Sequence, residues 1–237
     1  MAESLGTIAS SLDGLTQSYS AIAHNLANAN TVGFKRGQPV FMEVLAGRMD
    51  SQTAQVSGQV AIDFSPGAMT YTGRPTDLGI GGAGFFVLET AGGELYTRNG
   101  AFTINSQRQL VDTQGRIAAG QNGPITLPPA AAASDIAVSA GGAISAHGQS
   151  VGQLKIVEVS KLAQLKPMGG GCFSLPKEVA VTPAADPKVQ QGFQEASNVN
   201  PVEEMVGLIS IARLYEANVK TIKAVDDRLN SLTRVVL

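Results

Sequence analysis

Residues 4–28 read SLGTIASSLDGLTQSYSAIAHNLAN, and the spacing of their apolar side chains decides the fold. Leu5, Ile8, Leu12, Leu15, Tyr19, Ile22 and Leu26 follow one another at steps of three, four, three, four, three and four. That alternation is the a/d seam of a heptad helix. The other faces carry mostly Ser, Thr, Gln and Ala, and Glu3 and Asp13 are the charged residues before Lys35. Ion pairs along the helix therefore contribute nothing. Gly6 and Gly14 each weaken a helix interior by about 1 kcal/mol relative to alanine. Such a helix is marginal alone and calls for a partner along its seam.

The other end of the chain offers that partner. Asn200 suits an N-cap, Pro201 the first helical position and Glu203 the carboxylate of a capping box. Leu208, Ile211, Tyr215, Asn218, Ile222, Val225, Leu229, Leu232 and Val236 then step alternately by three and four. Asn218 is the polar member, the kind that fixes register at some expense of stability. No proline interrupts from Val202 to Leu237. A helix over 202–234 would be about 50 Å long.

Between the ends the period changes to two. Phe85 to Leu88 and Glu94 to Arg98 read as strands around a Gly92-Gly93 turn. Asn99-Gly100 is a hairpin signal. Ala101 to Asn105, Gln109 to Asp112, Arg116 to Ala119, Ile125 to Leu127, Ile136 to Val138, Ala143 to Ser145 and Leu154 to Val159 continue the pattern. The expected class is α+β. The terminal helices pair as an α-helical coiled-coil domain, and a mostly antiparallel β-domain lies between them. The expected boundaries are an N-terminal helix in 1–35, an extended linker over 36–70 with one helical turn near Val40 to Leu45, a β-rich domain over 71–195 and a C-terminal helix in 196–237.

Bulk composition narrows the function. Apolar residues make up 43% of the 237 and charged residues 15%, enough to bury a core. A net charge of −2 with no basic run argues against nucleic-acid binding. Cys172 with His24 and His147 cannot build a zinc site, and a single cysteine forms no internal disulfide. No run of apolar residues is long enough to insert in a membrane. The first basic side chain is Lys35, so no secretory signal is expected at the start.

Three motifs tempt a catalytic reading. Gly79-Ile80-Gly81-Gly82-Ala83-Gly84 has the letters of a dinucleotide fingerprint, but Phe85 to Leu88 follows as a strand where a helix is required. Ser174-Leu175-Pro176-Lys177 spells a serine–lysine pair, and Pro176 opposes the helical turn that would join them. His24 and His147 have no evident carboxylate or thiol partner for a triad. No enzyme activity, cofactor or metal is expected.

Asn25-Leu26-Ala27-Asn28-Ala29-Asn30-Thr31-Val32-Gly33-Phe34-Lys35 resembles the N-terminal signature of bacterial flagellar rod and hook proteins. Ser197-Asn198-Val199-Asn200-Pro201-Val202-Glu203-Glu204-Met205-Val206, with Tyr215-Glu216-Ala217-Asn218, is similar to the C-terminal signature of the same family. Thr72 to Leu78, Gly84-Phe85-Phe86 and Tyr96 to Gly100 are similar to its central β-region. Residues 130–186 match no part of the pattern. The resemblance implies a structural subunit that self-assembles through its terminal helices with other rod subunits into the axial drive shaft for motility. It also implies passage through the flagellar type III export apparatus, without a cleaved signal, to a periplasmic rod. Its length and C-terminal wording look most like the proximal rod subunit. The other readings are a distal rod or hook-type subunit, an extracytoplasmic enzyme on a β-scaffold, and an extracytoplasmic monomeric β-domain binding protein.

Overall fold

The computed structural model describes residues 2–44, 55–176 and 178–235. Two long helices bracket the chain, α1 (Ala2–Ala27) and α2 (Pro201–Val235). The chain divides into two compact units. One comprises Met1–Ala29, Arg36–Asp63 and Val199–Leu237, the other Asn30–Lys35 and Phe64–Asn198.

The first unit holds both helices and an antiparallel hairpin, β1 (Gly37–Val44) and β2 (Gln55–Ile62), with Gly37 opposite Ile62. The linker expected over 36–70 is thus in large part a strand pair, and strand occupies the described part of the turn expected near Val40. Leu45 and residues 46–54 lie outside the described residues. The hairpin has the physical signal of a strand pair. Val40, Met42 and Val44 alternate at period two, as do Val56, Val60 and Ile62 around Gly58. The α1 helix packs against both strands and against α2.

The coiled-coil expectation is overturned. The described residues hold two α-helices, one at each end, around a mostly β region, and the heptad seam does not organise their contact. On α1 the buried line is Leu15, Ser18, Ile22 and Asn25, whereas the seam residue Tyr19 is 50% exposed. The line is rotated because polar side chains can occupy it once satisfied. Ser18 Oγ donates to Gly14 O at 2.9 Å, and Asn25 bonds to β1 and α2. On α2 Ile22 of α1 meets Gly207, where a β-carbon would come within 3.0 Å of Ile22 Cδ1.

The second unit is β throughout. Its main sheet runs in the order Lys166–Gly169, Cys172–Ser174, Gly93–Thr97, Phe85–Thr90, Ile117–Gly120, Leu110–Val111 and Thr103–Ile104, every pair antiparallel. Ile156–Val159 joins it beside Phe85–Thr90 and also pairs with Val181–Pro183. Ile136–Val138, Ala143–Ala146 and Gln149–Gln153 form a separate three-stranded sheet. Leu78–Ile80 pairs with Val189–Gln191, and Met69–Tyr71 with Phe193–Glu195. Phe86 and Phe102, both fully buried, meet edge to face at 5.2 Å in the core with Leu78, Ile80 and Leu88.

Asn99-Gly100 is not the hairpin its letters suggest. The strand ending at Thr97 pairs with Phe85–Thr90 and Cys172–Ser174, and Gly100 O instead accepts from Leu78 N at 2.9 Å. Gly100 is absent from the positive-φ glycines, so the tight turn type that needs it does not form. Ile125 and Leu127 are buried core residues, but Thr126 makes one isolated bridge, to Gln109, and the expected strand there is not built.

Candidate functional site

Residues of the N-terminal signature reach the C-terminal part of the chain at two buried polar clusters, one in each unit. In the first unit Asn25 near the end of α1 is 1% exposed. Its Nδ2 donates to Gly37 O at 2.8 Å and to Glu204 Oε2 at 3.2 Å, and its Oδ1 accepts from Gly37 N at 2.8 Å. Arg36 Nε donates to Glu204 Oε1 at 2.5 Å. One buried carboxylate on α2 thus ties together α1 and the entry to β1. Charge-assisted bonds of this kind hold only while every partner is present.

In the second unit Glu195 is 1% exposed and shared by two cations. Lys35 Nζ reaches its Oε1 at 2.6 Å and Ser65 O at 2.7 Å. Gly67 N donates to the same Oε1 at 2.9 Å, and Arg98 Nη1 stands 3.4 Å from Oε2. Arg98 Nη1 also donates to Ile80 O and Gly82 O, both at 3.1 Å. Burial pulls the Arg98 guanidinium below its ordinary range, and the Glu195 carboxylate pushes it back. Gly33 N donates to Glu195 O at 2.7 Å. Gly33 sits at φ +67°, where a β-carbon would also run into the Asn99 backbone.

The remaining signature residues serve local geometry. Phe34 is buried, Leu26, Asn28 and Thr31 are half-buried, and Asn28 Nδ2 donates to His24 O at 2.9 Å. Ser197 is half-buried, and Asn198 Nδ2 donates to Ser65 O and Oγ at 3.1 Å. Asn200 Oδ1 accepts from Val202 N at 3.1 Å and caps α2. Glu203 Oε1 meets the Asn200 side chain, not its backbone N–H.

Along the helices the seam residues are unevenly covered. Leu15 and Ile22 are buried, Leu12 and Leu26 half-buried, as are Leu208, Ile211, Asn218, Ile222 and Val225, while Tyr19 and Tyr215 are exposed. The side chains of Leu5, Ile8, Leu229 and Leu232, and the whole of Val236, lie outside the described residues. On α2, Glu204 is the single buried residue among those described. Val202, Met205, Val206 and Ile209, at steps of three, one and three, share the opposite face and are 64%, 47%, 58% and 56% exposed. Together they leave an apolar stripe on the outside of the helix.

The tempting motifs take ordinary places. Gly81 N and Gly82 N donate to Lys188 O and Pro187 O at 3.1 Å, and the run leads into strand Phe85–Thr90. Ser174 ends a strand, and Lys177 lies outside the described residues. His24 is exposed on α1, and His147 Nε2 stands 3.5 Å from Asp135 on an exposed turn. Sequence reasoning singled out neither Glu195 nor Arg36. Their one signal is charge at positions where a chain with 15% charged residues has little to spend.

Two family models match this chain. "Flagellar basal body rod FlgEFG protein C-terminal" covers residues 190–235, and "Flagellar hook protein FlgE/F/G D1 domain" covers 79–146. Flagellar basal-body rod protein FlgF of Escherichia coli is 36% identical over 226 residues, 86% of each chain. FlgF of Caulobacter vibrioides is 35% identical over 209 residues, 84% of this chain and 83% of its own. Flagellar basal-body rod protein FlgG of Caulobacter vibrioides is 30% identical over 264 residues, 98% of this chain and 99% of its own. Similarity of that reach spans most of the chain, and the chain belongs to the flagellar basal-body rod proteins as a structural subunit of the rod.

Proposed function

We propose that this subunit joins other rod subunits through the exposed apolar face of α2, and that it does so without any catalytic activity. The observation that carries the reading is the stripe Val202, Met205, Val206 and Ile209, which stays open to solvent on a capped helix whose other face is held by Glu204. Burying such side chains stabilises by about 1.5–3 kcal/mol each, and a filament repeats the gain at every subunit. The proximal part of the rod is the favoured position, on the length of the chain and the wording of residues 197–206. Passage by the flagellar type III export apparatus belongs to the same reading. Assembly then takes place in the periplasm, with neither nucleic acid nor membrane insertion involved. A charge on the stripe tests the proposal. Val206→Asp leaves an exposed site exposed, so the isolated subunit should melt as the parent does. Purified basal bodies should contain none of it, and cells should not swim. Motile cells with Val206→Asp in their rods would remove the α2 face from the assembly surface.

A further inference from the structure

Asparagine is followed by glycine at two places in the chain, Asn99-Gly100 and Asn122-Gly123. The pair carries a latent reaction. The glycine amide nitrogen can attack the side-chain carbonyl carbon of the asparagine, and glycine has no β-carbon to obstruct the approach. The backbone must bend until the two atoms meet, so the surrounding fold decides which pair reacts.

Asn99-Gly100 is held in place. Asn99 N donates to Thr97 Oγ1 at 3.0 Å, and its side-chain Oδ1 accepts from Ala101 N at 2.9 Å. Gly100 O accepts from Leu78 N and Phe102 N, both at 2.9 Å. Gly100 is buried, and a β-carbon there would come 1.7 Å from Leu78 O. Packed backbone on that side leaves no room for the bend.

Asn122-Gly123 is open. Gln121 and Asn122 are the two residues that join the paired strands Ile117–Gly120 and Gly123–Pro124, with Gly120 opposite Gly123. Both are exposed, and the Asn122 side chain makes no hydrogen bond among the described residues. Gly123 sits at φ +110°, and a β-carbon there would meet nothing within 4 Å. The strand it opens is two residues long, and Pro124 brings no N–H to it. Opening this turn therefore breaks few bonds, the chief of them from Gln121 N to Gln153 O at 2.9 Å.

We infer that Asn122 is a site of spontaneous deamidation in the folded subunit, with water as co-reactant, and that Asn99 is protected. Gly123 N attacks Asn122 Cγ. The N–Cγ bond forms, the Cγ–Nδ2 bond breaks, and ammonia leaves with the proton that Gly123 N gives up. The product is a five-membered cyclic imide. One water then opens it. Cleavage of the new N–Cγ bond leaves aspartate, and cleavage of the original peptide bond leaves isoaspartate, whose main chain runs through the former side chain. Nothing is oxidised or reduced. Either product adds a negative charge to the turn, and isoaspartate also lengthens it by one carbon beside the Gly120–Gly123 pair.

The test uses the full chain, folded and in urea, held in mildly alkaline buffer. Peptides containing Asn99 and Asn122 are followed by mass spectrometry, with fragmentation that separates aspartate from isoaspartate. In the folded chain Asn122 should convert at least roughly tenfold faster than Asn99, and in urea the two should convert at similar rates. The Asn122 product should contain both isomers. If Asn99 kept pace in the folded chain, or Asn122 stayed intact while the urea sample converted, the inference would be overturned. A tenfold lead that persisted in urea would assign the difference to neighbouring residues instead of the fold, and would sink it equally. Aspartate without isoaspartate would mean direct hydrolysis of the side chain and would remove Gly123 from the reaction.

Discussion

Glu195 holds the second unit together at the scale of a single side chain. Its carboxylate accepts from Lys35 and Gly67 and faces Arg98, and both cations are buried. Glu195→Gln keeps the shape and removes the charge that faces Lys35 and Arg98. The expected loss is about 3–5 kcal/mol of unfolding free energy, read as a lower midpoint in urea. An unchanged midpoint would show that Lys35 finds another anion. Cys172 is 2% exposed, and burial is the main cause holding its thiol above the usual range. A thiol reagent at neutral pH should label the folded chain slowly and the unfolded chain at once. At this scale the sequence named positions better than it named roles. The signature letters mark Asn25, Lys35 and Glu204, and Arg98 sits in a quoted motif. Their bonds are invisible in the letters, because Lys35 and Glu195 lie 160 residues apart and no periodicity connects them.

At the scale of elements, period was the reliable guide and chemistry displaced it by one position. Both terminal helices were legible from steps of three and four, and strands such as Phe85–Thr90 and Gly93–Thr97 from steps of two. The buried face of α1 could not be read from apolar residues alone, since Ser18 and Asn25 lie inside and Tyr19 outside. A hydroxyl bonded to the preceding turn and an amide bonded to a neighbouring strand are as acceptable in a core as leucine, and apolar counting passes over them. Val40, Met42 and Val44 showed a strand period, but the Gln, Ser and Gly content of residues 36–70 suggested a linker. Helix proximity makes a sharper prediction. A β-carbon on Gly207 would lie 3.0 Å from the tip of Ile22, a side chain that can shift. Gly207→Ala should therefore be close to neutral, with better helix propensity offsetting the tight fit. Gly207→Leu overpacks the contact and should destabilise by about 1–3 kcal/mol in thermal or urea unfolding. Equal stability of the two variants would show that the helices are not in close contact there.

For the molecule as a whole, the unit that holds both chain ends also takes in Arg36–Asp63 and gives up the residues that follow α1. Chain order places a short early piece, Asn30–Lys35, in the same unit as Phe64–Asn198. Nothing local in residues 30–35 distinguishes them from a helix end, so a boundary drawn along the sequence misses the assignment. A fragment of residues 64–198 therefore lacks Lys35 and leaves Glu195 without its nearest cation. A fragment of residues 30–198 keeps it. The longer fragment should be more stable by about 3 kcal/mol in urea, the scale of one broken buried pair. Equal stability would assign Lys35 no part in that unit. The wide separation of these partners also acts on time. Lys35 is made 160 residues before Glu195, and Asn25 is made 179 before Glu204. At about 5–20 residues per second, roughly 8–32 s pass between the synthesis of Lys35 and that of its anion. Throughout that interval the nascent chain lacks the bonds that would close either unit, and long-range pairings of this kind are slow to form even afterwards. Any machinery that must take the chain open has a window set by translation itself, and the late arrival of two glutamates begins to shut it.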